Sequence, residues 1–154
     1  MNGKYNGMGM PTPTHIHKHL QRTILGNYQK KTSWREAQKL QFGQAVEGPG
    51  GKEIEPDISY WNVVDYKEGA EDVTLDELLL VIEIVHSKDN WQYSYDRIFD
   101  AFAFKPTILE GFIYNYETGE WWRFRRQPNG SVVEEEGKDY SGVLGLYLHT
   151  LTKM

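Results

Sequence analysis

The sequence predicts a mixed α/β fold of the α+β kind, a central mixed sheet with helices packed against it. Three observations carry this: an apolar run at 78–85 interrupted by one carboxylate, helical spacing of apolar residues before and after it, and alternating residues punctuated by turns beyond residue 108. The order helix, strands, helix, strands lacks the regular alternation of a doubly wound fold, and nothing in the chain repeats.

Pro11-Thr12-Pro13-Thr14 opens the first helix, with Thr14 as N-cap and Ile16, Leu20 and Ile24 at helical spacing, so a helix is expected over 15–28. His15 and His19 share a face of it and His17 points elsewhere, which disfavours a three-histidine metal site; the histidines read as solvated or partly packed. Residues 29–42 form a polar, basic connection with Trp34, Leu40 and Phe42 interspersed. Gln41–Glu47 reads as a short strand, and Gly48-Pro49-Gly50-Gly51 turns it into the strand that carries Asp57, making a hairpin. Glu68, Glu71, Asp72, Asp76 and Glu77 mark 66–77 as a solvated acidic loop or short helix.

Leu78–Val85 is apolar but for Glu83 and reads as a strand covered on both faces. After the polar Ser87–Asn90, the spacing of Ile98, Phe99 and Phe102 predicts a helix over 93–104, ended by Pro106, with its aromatic residues in the core. From Ile108 to Val133, Phe112, Tyr114 and Tyr116 alternate with smaller or polar residues. Glu117-Thr118-Gly119 and Pro128-Asn129-Gly130-Ser131 then turn successive strands. Tyr140–Leu151 is a further strand or a short closing helix.

Composition narrows the class. The 154 residues are 39% hydrophobic, enough for one sizeable core and one domain over 1–154. The absence of cysteine excludes disulfides, thiolate zinc sites and cysteine nucleophiles. No segment is apolar and long enough to span a membrane, and Met1–Met10 lacks the apolar core of a signal peptide, so a cytoplasmic location is expected. The net charge of −5 argues against non-specific affinity for nucleic acid but not against a local basic groove.

Glu83 is the first clue to chemistry. An unpaired carboxylate in an apolar strand costs several kcal/mol, so it must meet a cation, a metal, strong donors or a proton. Asp57 opens the neighbouring β-rich run, and two such acids are the residue types that hold Mg²⁺ or Mn²⁺. On composition alone a structural ion pair is the competing reading.

Pro56-Asp57, then Leu79–Ser87, a helix, and Glu110-Gly111-Phe112-Ile113-Tyr114-Asn115 resemble the Uma family of restriction-endonuclease-like proteins in the PD-(D/E)xK nuclease superfamily. Asn2-Gly3, Pro11–His15 and Val143–Leu146 resemble that family's opening turn, the start of its next helix and its closing apolar segment. The family's usual amino-terminal helix, and the acidic residue ahead of that turn, have no counterpart in the sequence.

The resemblance implies a restriction-endonuclease-like core and a DNA endonuclease that hydrolyses phosphodiester bonds with Mg²⁺ (or Mn²⁺). It assigns Asp57 and Glu83 as metal ligands, with the carbonyl of Ile84 or Val85 as a further one. Val85 stands where such nucleases carry the lysine that activates water. Arg97 in the following helix and Lys88 before it are the nearby catalytic cations, and Glu47 is a substitute acidic ligand. Arginine stabilises developing charge but is a poor proton acceptor.

For DNA contact the sequence offers Lys30, Lys31, Arg35 and Lys39, with Arg123 and Arg125 on one strand face. Trp91, Tyr93 and Tyr95 are candidates to stack on a base or sugar, against simple core packing. A homodimer through an exposed aromatic hairpin, Phe112–Phe124, would place two sites on a duplex. The alternative function is an inactive nuclease-like module that binds nucleic acid or a protein partner, with Glu83 satisfied by Arg97 or His15. A Glu83–His86 acid/base pair is disfavoured because the two fall on opposite faces of a strand.

Overall fold

A computed structural model describes residues 13–64 and 74–153. The expectations for Asn2-Gly3, for Pro11-Thr12 and for the acids Glu68, Glu71 and Asp72 lie outside the described residues. The first helix, α1, spans Pro13–Lys31, three residues beyond its expected end. The polar connection that follows holds a four-residue helix, α2 (Trp34–Ala37), whose N-cap Ser33 accepts from the Glu36 N–H at 3.2 Å.

The hairpin around the Gly-Pro-Gly-Gly turn is nested. The expected strand at 41–47 is split at Gly43 (φ 69°), a conformation that glycine adopts without strain, into β1 (Leu40–Phe42) and β2 (Val46–Glu47). Inner strands β2 and β3 (Glu53–Ile54) flank the turn, while β1 pairs with β4 (Ile58–Val64), Phe42 opposite Ile58.

The buried strand, β5 (Thr74–Val85), begins four residues earlier than its apolar run. Asp76 and Glu77 are therefore strand residues, not loop or helix, because antiparallel pairing with β4 as far as Val64–Thr74 draws the polar segment into the ladder. Helix α3 spans Lys88–Phe104 and likewise starts early, at the polar residues after Ser87, which takes the N-cap position. The remaining strands are β6 (Glu110–Asn115), β7 (Glu120–Arg126), β8 (Val132–Glu136), β9 (Tyr140–Ser141) and β10 (Leu146–Tyr147). A closing 3₁₀ turn over Leu148–Leu151 makes the C-terminal segment both strand and helix, the two forms expected of it.

Among the described residues the main sheet has six strands in the order β1-β4-β5-β6-β7-β8. Its one parallel pair, β5 with β6, is bridged by α3; the other pairs are antiparallel. Alternation along β5 sends Leu80, Ile82 and Ile84 toward α1, where Leu20, Ile24 and Tyr28 meet them, and Val81 and Val85 toward Ile98, Ala101 and Phe102 of α3. Both faces are covered, as an apolar run predicts. Phe112, Trp121 and Phe124 lie inside these clusters, so the aromatic hairpin expected as a dimer surface is core. Among the described residues no helix is long and apolar enough to cross a membrane.

Gly111 sets the height of α3 above the sheet. A Cβ there would lie 3.1 Å from both Ile98 Cγ2 and the Phe102 ring. Its bare backbone lets the helix settle close enough for α3 side chains to reach the end of β5. Gly111→Leu is expected to lower stability by about 1–3 kcal/mol through overpacking, read as a lower urea midpoint at unchanged slope.

Candidate active site

Asp57 immediately precedes β4, and Glu83 lies near the end of β5 with its side chain on the α3 face. The two are interlocked through each other's backbone. The Asp57 N–H donates to Glu83 Oε2 at 3.2 Å, and the Ile84 N–H donates to Asp57 Oδ2 at 2.7 Å. Helix α1 adds a third tie, since Gln21 Nε2 donates to the Asp57 carbonyl at 2.7 Å. The two backbone donors hold both carboxyls to the strand ends rather than to mobile side chains.

Glu83 is 5% exposed and meets a cation, as its burial requires: Arg97 Nε of α3 lies 3.1 Å from Oε1. The Nε–H has no hydrogen-bond partner, so this contact is Coulombic and not a directed bond. The rest of the guanidinium is held elsewhere, Nη2 donating to the Glu55 carbonyl at 2.6 Å and Nη1 to the Tyr93 hydroxyl at 3.0 Å. Around these groups lies an open cavity of about 310 Å³ whose wall includes His17, Glu55, Asp57, Glu83, His86, Tyr93 and Arg97.

Burial dominates the electrostatics. It pushes the Glu83 carboxyl up to about 8, with the neighbouring Asp57 charge adding to the effect and Arg97 opposing it. Asp57 is also raised by burial, against the Ile84 N–H and the charges of His17 and Arg97. Two buried carboxyls this close resist ionising together unless a cation joins them.

The structure brings Asp57, Glu83 and Arg97 into one site. Val85 is 1% exposed and packs with Ile98 and Ala101, so its side chain is core; its carbonyl accepts from the Tyr116 N–H at 3.1 Å. Lys88 opens α3, and its side chain lies outside the described part of the structure. Glu47 sits in the β2–β3 ladder opposite Glu53, while Glu55 takes the place beside the cavity. His86 shares that cavity with Glu83 despite its odd spacing, because β5 ends at Val85 and the chain has left the strand by His86.

His17 and Glu55 are the residues the sequence did not single out. The signal for His17 was present in the helix, as the histidine that breaks from the 15/19 face. Its ring lies 6.4 Å from that of His86 and 6.0 Å from that of Tyr116.

Of the proposed stacking residues, Tyr93 is 63% exposed at the rim, with the Arg97 guanidinium over its ring at 5.3 Å. Trp91 and Tyr95 stack on one another at 4.7 Å, and Tyr95 continues to Phe99 at 4.8 Å, which makes them packing residues. Arg123 and Arg125 do share a face, and both are held by Glu135, at 3.0 and 2.6 Å; those contacts hold its carboxyl down to about 2. Lys39 pairs with Glu36 at 3.2 Å. Lys30 and Lys31 end α1 and are exposed.

No cluster of three or more histidine, aspartate or glutamate side chains with metal-holding geometry occurs among the described residues. Mg²⁺ needs no such cluster, because it keeps several waters and is commonly held by one or two carboxylates. The hydrogen bond to the Asp57 carboxyl among the described residues uses Oδ2, and Glu83 Oε1 has only the undirected Arg97 contact. Two carboxylates at an open polar cavity therefore fit a hard divalent cation.

A six-stranded mixed sheet whose parallel pair encloses a helix, with two acids at the ends of adjacent strands, defines a restriction-endonuclease-like fold. A crystal structure described as a putative nuclease belonging to DUF820 from Anabaena variabilis ATCC 29413 superposes with a TM-score of 0.60 at 16% identity, covering 99% of this chain and 87% of that one. The family model for Uma2, described as "Putative restriction endonuclease", matches residues 6–147, and the chain belongs to that family. No curated protein sequence matches it.

The raised Glu83 carboxyl has a consequence for stability. Between about pH 4.5 and pH 8 it holds a proton when folded that the unfolded chain has released, so its contribution is present at low pH and is lost as pH rises through 8. Glu83→Gln removes this dependence. In EDTA, the melting temperature of the variant is expected to rise relative to wild type between about pH 5 and pH 8; a constant difference would show that Glu83 is ionised throughout.

Proposed function

We propose that the protein is a divalent-metal-dependent nuclease that hydrolyses phosphodiester bonds of DNA, acting in the cytoplasm. The observation that carries this reading is the pair Asp57 and Glu83, locked to each other's strands at an open cavity beside Arg97. Membership of the Uma2 family supports the reaction class.

In this reading Asp57 and Glu83 hold Mg²⁺ or Mn²⁺, and the carbonyl of Ile84 or Val85 is a further ligand. The cation supplies charge neutralisation at the phosphate and lowers the pKa of a water molecule. Arg97 stays ionised, fixed by Glu55 and Tyr93, and stabilises the extra negative charge that phosphorus develops during attack. Lys88, the first residue of α3, is the second catalytic cation of this reading. Tyr93, exposed at the rim, offers a ring on which a sugar or base can rest. Lys30 and Lys31 supply backbone contacts outside the cavity.

A second reading draws on the Glu83–Arg97 pair and on Val85. An acid already neutralised by arginine, next to a buried valine in place of lysine, suits a nuclease-fold module that binds nucleic acid or a protein without cutting. Calorimetric titration separates the two. Mn²⁺ and Mg²⁺ are expected to bind wild type saturably and to lose binding in folded Asp57→Ala and Glu83→Ala variants, with DNA cleavage falling by at least about 100-fold in Asp57→Asn. A wild type that binds neither ion belongs to the second reading.

A further inference from the structure

An arginine beside a buried carboxylate often closes on it, presenting two parallel N–H donors from its planar fork. Arg97 does not close on Glu83. Its Nε lies 3.1 Å from Glu83 Oε1, yet the Nε–H makes no hydrogen bond among the described residues. Nη2 instead donates to the Glu55 carbonyl at 2.6 Å, and Nη1 to the Tyr93 hydroxyl at 3.0 Å. The charge is beside Glu83 while the donors are turned to other acceptors. We infer that Tyr93 is a positioning residue: together with the Glu55 carbonyl, its hydroxyl turns the Arg97 fork away from Glu83 and leaves that carboxyl to the metal. The inference rests on the metal-dependent reading of the same cavity.

A planar group held at two of its nitrogens cannot rotate without breaking a bond, whereas one held at a single point can pivot about it. Tyr93 supplies the second point. It stands four residues before Arg97 on α3, a spacing that puts both side chains on one helix face, and the guanidinium lies over its ring, 5.3 Å from the centroid. The residue is 63% exposed, so it adds little to the core, and its hydroxyl bonds the arginine. The first point is backbone. Glu55 lies between β3 and β4, two residues before Asp57, so its carbonyl ties the guanidinium to the segment that brings Asp57 to Glu83. Glu55, Asp57, Glu83, Tyr93 and Arg97 all line the same cavity.

Released from Tyr93, the fork pivots about the Glu55 bond and aligns a donor with Glu83 Oε1; the directed backbone donor of that carboxyl, the Asp57 N–H, uses Oε2. A divalent cation then has to displace a directed, charge-assisted hydrogen bond, where in the wild type it meets an unaligned charge. Loss of the hydroxyl therefore weakens metal binding through Arg97, and only while Arg97 is present.

The test measures Mn²⁺ binding by calorimetry, at one pH, for wild type, Tyr93→Phe, Arg97→Gln, Arg97→Lys and Tyr93→Phe combined with each Arg97 substitution. Tyr93→Phe keeps the ring at an exposed helix position and is expected to fold as wild type does. It is expected to bind Mn²⁺ about 3–10-fold more weakly, the range of one hydrogen bond. In the Arg97→Gln and Arg97→Lys backgrounds, which lack the fork, the same substitution is expected to change affinity by less than about twofold. Arg97→Lys keeps the comparison open if Arg97→Gln, which leaves Glu83 without a counter-charge, does not fold. Unchanged or tighter binding in Tyr93→Phe overturns the inference alone, as does an equal loss in the Arg97 backgrounds, which would have Tyr93 act without the arginine. Wild type that binds neither Mn²⁺ nor Mg²⁺ overturns the metal-dependent reading, and the inference with it.

Discussion

The reciprocal hydrogen bonds between the start of β4 and the end of β5 are the joint on which the site depends. Each acid accepts an N–H of the other's strand segment: Glu83 from Asp57, and Asp57 from Ile84. One donor belongs to β5 and the other to the residue that leads into β4, so each carboxyl is held by backbone and not by a mobile side chain. Two carboxyl groups are held close together in a buried place, an arrangement that costs free energy and that a folded protein keeps only where other contacts over-determine it. Here those contacts are the β4–β5 pairing, the Gln21 bond from α1 and the Arg97 charge from α3.

That joint works because both faces of β5 are covered. Alternate side chains feed two apolar clusters, one under α1 and one under α3, and each helix brings a polar residue to the same strand end. From α1 come His17 and Gln21; from α3 come Tyr93 and Arg97. Gly111 permits the close approach of α3, and a second buried carboxylate, Glu110, fixes the far side of the sheet by accepting from the Ser141 hydroxyl at 2.6 Å and the Gly142 N–H at 2.8 Å. The two buried acids differ in kind. Glu110 is satisfied by directed donors, whereas Glu83 has one backbone donor and an ill-aligned arginine beside open space, the contrast that singles it out as the candidate.

Burial also orders the surrounding charges. Arg123 and Arg125, which alternate onto one strand face as basic residues for DNA would, share the single carboxylate of Glu135. The positive charge that remains at the cavity comes from Arg97, held in place by Glu55 and Tyr93.

The apolar run around Glu83, the helical spacing of Leu20 and Ile24, the turn residues beyond 108 and the Pro-Asp pair were legible in the chain because each is a local pattern of period, polarity or backbone preference. They determined a mixed sheet between helices, a carboxylate that had to find a partner, and the resemblance that the family match bears out. Where elements began was less legible: β5 and α3 both start on polar residues, since pairing and capping extend an element past its apolar core. Only the tertiary structure decided who surrounds Glu83. Arg97 lies fourteen residues away and Asp57 twenty-six, on elements whose meeting depends on how two helices pack across a sheet. His17, His86 and Glu55 enter the same cavity for a like reason. A side chain's direction at a strand end or on a helix follows from the packed backbone, and no spacing along the chain encodes it.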